Sequence, residues 1–95
     1  MGKLLILARY IFLIYGSDIL ETRRHVHVTY AHRGHKKSCK FWLEPEIMLD
    51  SKKQGDFTAS ELREIETLLR EHLEEIQAQL QKFYSDQQVT AIRKP

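Results

Sequence analysis

Two histidines, His25 and His27, are the residues whose types and spacing most directly suggest chemistry. They are separated by one residue in a segment that alternates between polar and apolar side chains. On a β-strand both imidazoles therefore lie on one face, about 6.5–7 Å apart. Neutral imidazole is the commonest metal ligand, and this separation suits two ligands of one ion. The pair predicts a metal site or the centre of a metal- or acid–base-dependent hydrolase.

A metal site needs a third ligand, and among the histidines the sequence offers His32, His35 and His72. His72 falls on the apolar stripe of a predicted helix, where a histidine at the edge of the core is expected. Without a carboxylate or cysteine at fixed spacing, two alternatives to the metal site stay open. One is a structural or surface histidine pair, and the other is a polar binding face. We therefore predict no cofactor.

The segment that contains the histidine pair is basic. Residues 23–43 include several arginines and lysines and no acidic residue. Cations interleaved with aromatic side chains can hold a phosphate backbone and stack on bases, or they can dock on an acidic protein. The alternative is a solubilising hairpin whose lysines discourage edge pairing. We expect weak or no nucleic-acid binding at physiological salt. The candidate residues for anion, nucleic-acid or partner binding are Arg23, Arg24, Arg33, Lys36, Lys37, Lys40 and Trp42.

No residue pattern predicts nucleophilic catalysis. The single cysteine, Cys39, alternates onto the apolar side of its predicted strand, where a small core residue is expected. The sequence also has no glycine-rich loop that could cradle a phosphate group. The sequence therefore leaves enzymatic activity open and favours a protein that is not an enzyme, with no catalytic residue assigned.

The histidine pair is positioned by a predicted β-hairpin. Residues 25–30 alternate strictly, and residues 36–43 form the returning strand. With Arg33 and Gly34 at the centre of the turn, Val28 faces Cys39 and the apolar residues share one side. A three-residue loop with a bulge exchanges the faces, and the hydrophobic pattern argues against it.

The rest of the domain supplies the support for this hairpin. Residues 4–15 are almost continuously apolar and predict one strand buried on both faces, bent near Ala8 and Arg9. Residues 46–49 fit either a short edge strand or a helical turn. Thr58 and Glu61 form a capping box, after which apolar residues recur at three- and four-residue spacing. This pattern predicts one helix of about 26 residues, roughly 39 Å long.

These elements predict an α+β fold, in which a small antiparallel sheet of three to four strands is packed by one long C-terminal amphipathic helix. Ninety-five residues suffice for one domain, which we place at residues 1–86, with a flexible tail at residues 87–95. The helix outruns the sheet, so we expect Leu80, Phe83 and Tyr84 to overhang. An overhanging apolar end predicts a homo-oligomer formed through the C-terminal helix.

Composition and cysteine content bear on location. Net charge is +2, which implies no particular partner, and one cysteine cannot form an intrachain disulfide. The apolar run is too short for a membrane span and contains Arg9, and a signal peptide is not expected because no convincing cleavage site follows it. We predict a cytoplasmic protein that does not associate with membranes.

Three ordered motifs resemble a family of small uncharacterised prokaryotic proteins. They are HVHV at residues 25–28, KFWLEP at residues 40–45 and FTASELREIE at residues 57–66. The family is catalogued as domain of unknown function 4160, and its signature is Pro-Pro-His-x-His-Val. This sequence departs from that signature, because Arg23 and Arg24 stand where the proline pair is usual. The resemblance implies no activity, but it implies a free-standing domain often encoded beside another very small protein, as in toxin–antitoxin pairs.

The leading functional prediction is a small interaction module, with a small protein partner and a role in a toxin–antitoxin-like pair. The first alternative is a metal- or acid–base-dependent hydrolase or nuclease centred on His25 and His27. The second alternative is a structural homo-oligomer. Nothing in the sequence identifies the partner or the ligand.

Overall fold

The computed structural model of the chain describes residues 2–7, 9–32 and 35–94, and for residues 31, 32, 35 and 36 it describes the backbone only. Its regular elements are β1 (Gly2–Leu7), β2 (Tyr10–Ile14), β3 (His25–His32), β4 (His35–Trp42), β5 (Met48–Leu49), α1 (Ala59–Glu71), α2 (Leu73–Tyr84) and β6 (Ile92–Lys94). The strands form one sheet in the order β5-β4-β3-β2-β1-β6. All neighbours are antiparallel except β6, which runs parallel to β1. The α+β class is confirmed.

The predicted count of three to four strands is wrong, because the described residues form six. The apolar run at residues 4–15 forms two strands, β1 and β2, that pair with each other. A single strand of that length would extend about 40 Å, whereas the longest dimension of the domain is 34 Å. The chain therefore reverses beside Arg9, whose exposed side chain pairs with Glu64 at 2.7 Å.

The sixth strand comes from the segment predicted to be a tail, residues 87–95. Ile92 lies opposite Leu5 in the parallel pairing of β6 with β1. The buried amide of Gln79 donates hydrogen bonds to the carbonyls of Leu4 (3.0 Å) and Thr90 (2.6 Å). This side chain on α2 therefore joins the first strand to the last segment of the chain.

The predicted hairpin register is confirmed. Val26 lies opposite Phe41 and Val28 opposite Cys39, as expected with residues 33 and 34 at the turn. Residues 33 and 34 themselves lie outside the described residues. Opposed residues in an antiparallel pair share a face. Val26, Val28, Cys39 and Phe41 are all buried in the core with the helices.

The predicted single helix is wrong in detail, because the helical region is divided into α1 and α2 at His72. The φ and ψ angles of His72, −117° and 20°, are not helical. A straight helix of about 39 Å would exceed the 34 Å length of the domain. The bend keeps Ile65, Leu69, Ile76 and Leu80 fully buried on the sheet.

The start of α1 agrees with the sequence prediction. The Thr58 hydroxyl accepts from the N–H of Glu61 at 3.1 Å, and the Glu61 carboxylate accepts from the N–H of Thr58 at 2.9 Å. The predicted capping box is therefore confirmed. None of the described helices is both long and apolar enough to cross a membrane.

The end of α2 packs on the domain and does not overhang. Leu80 is fully buried, and Phe83 and Tyr84 are partly buried against the core. The division of the helical region at His72, whose backbone angles are not helical, accompanies this difference. The predicted overhang is therefore wrong, and the homo-oligomer itself stays a prediction.

The packing of the apolar stripe can be tested by comparing two leucines. Leu69→Ala should lower the free energy of unfolding by about 2–5 kcal/mol, because it leaves a cavity in the core. Leu20→Ala is the matched control, since Leu20 is 87% exposed, and it should change stability by no more than about 0.5 kcal/mol. Urea denaturation measures both values. Equal costs for the two substitutions would contradict this packing.

The cysteine gives a second test of the core. Burial raises the pKa of the Cys39 thiol to about 12, so the thiolate is a minute fraction of the folded protein near neutral pH. Alkylation at pH 8 should be at least about 100-fold slower in the native protein than in denaturant, where the thiol ionises near its ordinary pKa. A native rate within a few-fold of the denatured rate would show that Cys39 is accessible.

Candidate functional site

The two histidines lie at the start of β3, on the sheet face opposite the core. His25 pairs with Trp42 and His27 with Lys40 across the β3–β4 ladder, so all four side chains share this face. His25 is nevertheless fully buried, and the side chain of His27 is 18% exposed. The imidazole rings of the pair are 5.3 Å apart between centroids.

Asp18 completes a cluster with this pair. It lies in the short 3-10 helix Gly16–Leu20, which connects β2 to β3. Oδ1 of Asp18 is 3.1 Å from Nε2 of His25, and Oδ2 is 3.0 Å from Nε2 of His27. One ligand atom from each of the three side chains lies within 4.8 Å of the others. The arrangement is therefore that of a possible two-histidine, one-carboxylate metal centre.

Backbone and helix contacts hold Asp18 in place. Its Oδ2 accepts a hydrogen bond from the N–H of Tyr15 at 2.8 Å, while its own N–H donates to the carbonyl of Tyr15 at 2.9 Å. The hydroxyl of Tyr84, on α2, reaches the carbonyls of Asp18 (3.2 Å) and Glu21 (3.1 Å). The carboxylate is thus positioned by a tight local turn that the C-terminal helix fastens to the domain.

The hydrogen bonds of His25 determine which ring nitrogen faces Asp18. Nδ1 lies 3.0 Å from the carbonyl of Arg23, which can only accept, so we assign the proton to Nδ1. In the neutral ring Nε2 then carries a lone pair. This buried atom makes no hydrogen bond to any described residue, although Oδ1 of Asp18 is close. In that neutral form two electron-rich atoms would face each other, so the contact calls for a positive charge, either a proton on Nε2 or a cation between the two atoms.

The charge states of the other two residues follow from their surroundings. Burial, the largest single effect, would raise the pKa of Asp18, but the Tyr15 N–H and the histidines outweigh it and the pKa lies below its usual value. Burial is also the largest effect on His27 and lowers its pKa, although Asp18 acts in the opposite direction. An anionic carboxylate and a neutral imidazole at neutral pH are the forms that bind metal.

The other proposed histidine ligands are not in this cluster as described. His72 lies between α1 and α2, where Nδ1 is 3.2 Å from Oε1 of Glu75. The side chains of His32 and His35 lie outside the described part of the structure. Asp18 was the residue that sequence reasoning missed as a ligand. Its only signal was a carboxylate in the turn cluster that precedes the histidine pair.

Two of the predicted basic residues adjoin the cluster. The guanidinium carbon of Arg23 lies 4.1 Å, and the ammonium nitrogen of Lys40 4.0 Å, from the centre of the Trp42 ring. The same ring lies 5.6 Å from the imidazole of His25. Arg23, Lys40 and Trp42 therefore form a cationic and aromatic border beside Asp18, His25 and His27.

The remaining basic residues do not join this border as far as they are described. Lys37 lies across from Tyr30 on the core face and pairs with Glu61 of α1 at 3.0 Å. The guanidinium of Arg24 lies 4.2 Å from the ring centre of Tyr84. Arg33 and the side chain of Lys36 lie outside the described residues. The acid-free segment is thus not one continuous basic surface among its described side chains.

Exposed apolar residues flank the site. Among the described large apolar side chains, those most open to solvent are Tyr15, Ile19, Leu20 and Met48. Three of them belong to the segment that carries Asp18, and Met48 pairs with Trp42 in the sheet. The ring of Tyr15 also contacts that of His27, with 4.6 Å between centroids.

Comparison with known proteins identifies one family. A model of the domain of unknown function DUF4160 matches residues 10–81, which include Asp18 and both histidines. No curated protein and no solved structure matches the chain significantly.

Proposed function

The chain belongs to the family described as domain of unknown function DUF4160, and because this description carries no activity, we propose a function from the site alone. The protein binds one divalent transition-metal ion through Asp18, His25 and His27. The single observation that carries this proposal is the buried Nε2 of His25, which faces Oδ1 of Asp18 at 3.1 Å without a hydrogen bond to a described residue. A cation between the two atoms removes their repulsion.

The distances support a metal ion as this cation. Zinc binds imidazole nitrogen at about 2.0–2.1 Å and carboxylate oxygen at about 2.0–2.2 Å, so neighbouring ligand atoms on one tetrahedral ion are about 3.3–3.5 Å apart. The two nitrogen–oxygen distances in the cluster, each to a different oxygen of Asp18, are 3.1 and 3.0 Å, so small movements of these side chains would admit an ion. The competing arrangement is a proton on Nε2 of His25, and metal titration distinguishes the two.

The surroundings of His25 also support metal binding. Histidines that bind metals almost always donate their second N–H to a carbonyl or carboxylate, which fixes the tautomer and the ring orientation. The bond from Nδ1 to the carbonyl of Arg23 has this arrangement. Asp18 receives a comparable contact from the Tyr15 N–H.

The donor set indicates the class of ion and its chemistry. Two imidazoles and one carboxylate suit zinc or ferrous iron, and three protein ligands leave coordination positions for water or substrate. The side chains of Asp18 and His27 are 16% and 18% exposed, so solvent reaches this side of the cluster. A zinc ion here would lower the pKa of bound water to about 7. Asp18 thus supports the predicted metal-dependent hydrolase, whereas the predicted interaction module and toxin–antitoxin-like pair stay predictions.

Zinc titration tests the proposal. Isothermal titration calorimetry of the metal-free protein should show one zinc ion per chain. At free zinc about 100 times the dissociation constant, the folded state should gain about 2.7 kcal/mol, because the ion binds the folded state alone. Thermal melting followed by circular dichroism should show the corresponding increase in melting temperature.

Matched variants show where zinc binds. Asp18→Asn keeps the size of the side chain and His27→Gln keeps a polar side chain, and together they should abolish the stabilisation by zinc. His72→Gln is the control, since His72 is a partly buried histidine beside a carboxylate outside the cluster, and it should respond to zinc as the wild type does. Weak binding at several sites that survives the double substitution would rule out this function.

A further inference from the structure

Two positive charges converge on one aromatic ring beside the proposed metal site. Arg23 and Lys40 each place their charged group about 4 Å from the centre of the Trp42 ring. Neither side chain forms an ion pair with a carboxylate among the described residues. The ring attracts each cation through its electron-rich face, but it neutralises neither charge. A pair of cations without a carboxylate is an arrangement that favours binding of an anion.

The guanidinium of Arg23 is held by one backbone carbonyl, and its two terminal nitrogens are available to a ligand. Its Nε donates to the carbonyl of Glu44 at 2.8 Å, which fixes the direction of the side chain. The two terminal nitrogens make no hydrogen bond to a described residue. A guanidinium oriented in this way presents a planar fork of donors, which matches the oxygen geometry of phosphate.

This cation pair is contiguous with the metal ligands. Lys40 lies directly opposite His27 in the sheet, and the Trp42 ring contacts His25. An anion held by Arg23 and Lys40 therefore lies next to the ion bound by Asp18, His25 and His27.

The small number of cations beside the site indicates which kind of anion can bind there. Extended binding of a nucleic-acid backbone uses a row of cations along several phosphates. Here Lys37 is paired with Glu61 on the opposite face of the sheet, and Arg24 lies against Tyr84. The described cations at the site are two, which suits one compact anion with high charge density. A divalent ion with one carboxylate ligand and two side-chain cations carries a net charge of about +3, which favours a highly charged anion such as a phosphate dianion.

We propose that Arg23 and Lys40 hold a terminal phosphate group, as inorganic phosphate or a phosphate monoester, against the metal ion bound by Asp18, His25 and His27. This inference rests on the proposed metal site and names the ligand class of that site. Phosphate oxygens are bound by the guanidinium fork and the ammonium group on one side and by the metal on the other. The proposal concerns binding, and it requires no covalent step.

The test uses the full chain loaded with one equivalent of zinc. Calorimetric titrations with inorganic phosphate, with glycerol 3-phosphate and with a single-stranded oligonucleotide without terminal phosphates separate the possible sources. We expect binding of one phosphate or one glycerol 3-phosphate per chain, and no detectable binding of the oligonucleotide. Oligonucleotide binding as tight as that of glycerol 3-phosphate would overturn the inference in favour of a surface for phosphate backbones.

The variants are Arg23→Met and Lys40→Met, which remove the charge but keep a side chain of similar length. The contact from His25 to residue 23 is to the backbone carbonyl and is retained. Each variant should bind zinc as the wild type does but bind phosphate at least about tenfold more weakly. Lys82→Met is the matched control, because Lys82 is exposed near the end of α2, and it should leave phosphate affinity unchanged.

The order of measurements separates the two proposals. If the wild-type chain fails to bind zinc, the proposed function fails, and this inference fails with it. If zinc binds but phosphate does not, or if the two variants bind phosphate as the wild type does, only the phosphate site is overturned. Melting temperatures of the zinc-free variants show whether each has kept the fold.

Discussion

The pairing register of β3 and β4 is the constraint on which both the core and the candidate site depend. With Val26 opposite Phe41, every second described side chain of the hairpin faces the helices, and the intervening ones face away. A shift by one residue would bury His27 and Lys40 in the core and expose the valines. The cost of burying an unpaired charge or polar group against apolar side chains makes that alternative very unfavourable. The packing that stabilises the domain therefore also fixes the positions of the histidines.

Local signals made the hairpin and the start of α1 predictable from the sequence. Strict alternation determines the register because it has a period of two, and a capping box such as that of Thr58 and Glu61 involves residues only three positions apart. The turn inside residues 4–15 was missed because a strand covered on both faces has no alternation. The bend at His72 and the strand β6 depend on the dimensions of the whole domain, which no short segment encodes.

Local sequence signals also explain why only part of the candidate site was predictable. His25 and His27 share a face because of strand geometry, so the sequence alone placed them together. Asp18 reaches them only through the turn of Gly16–Leu20 and the hydroxyl of Tyr84, which lies 66 residues away along the chain. Likewise, the sequence gathers the basic residues into one segment, but alternation sends Lys37 to one face and Lys40 to the other. The sequence therefore shows that the segment is basic, but only the fold shows on which face each charge lies.

Trp42 is the one tryptophan of the chain, and its position gives the site an optical signal of its own. Its ring contacts His25 and lies about 4 Å from the charged groups of Arg23 and Lys40. Indole emission responds to nearby charge and to the polarity around the ring. Any event that adds or redistributes charge at His25, or that draws either cation away from the ring, should alter the intrinsic fluorescence of the native protein. The domain thus carries a built-in reporter, free of background from other tryptophans, for whatever occupies this end of the sheet.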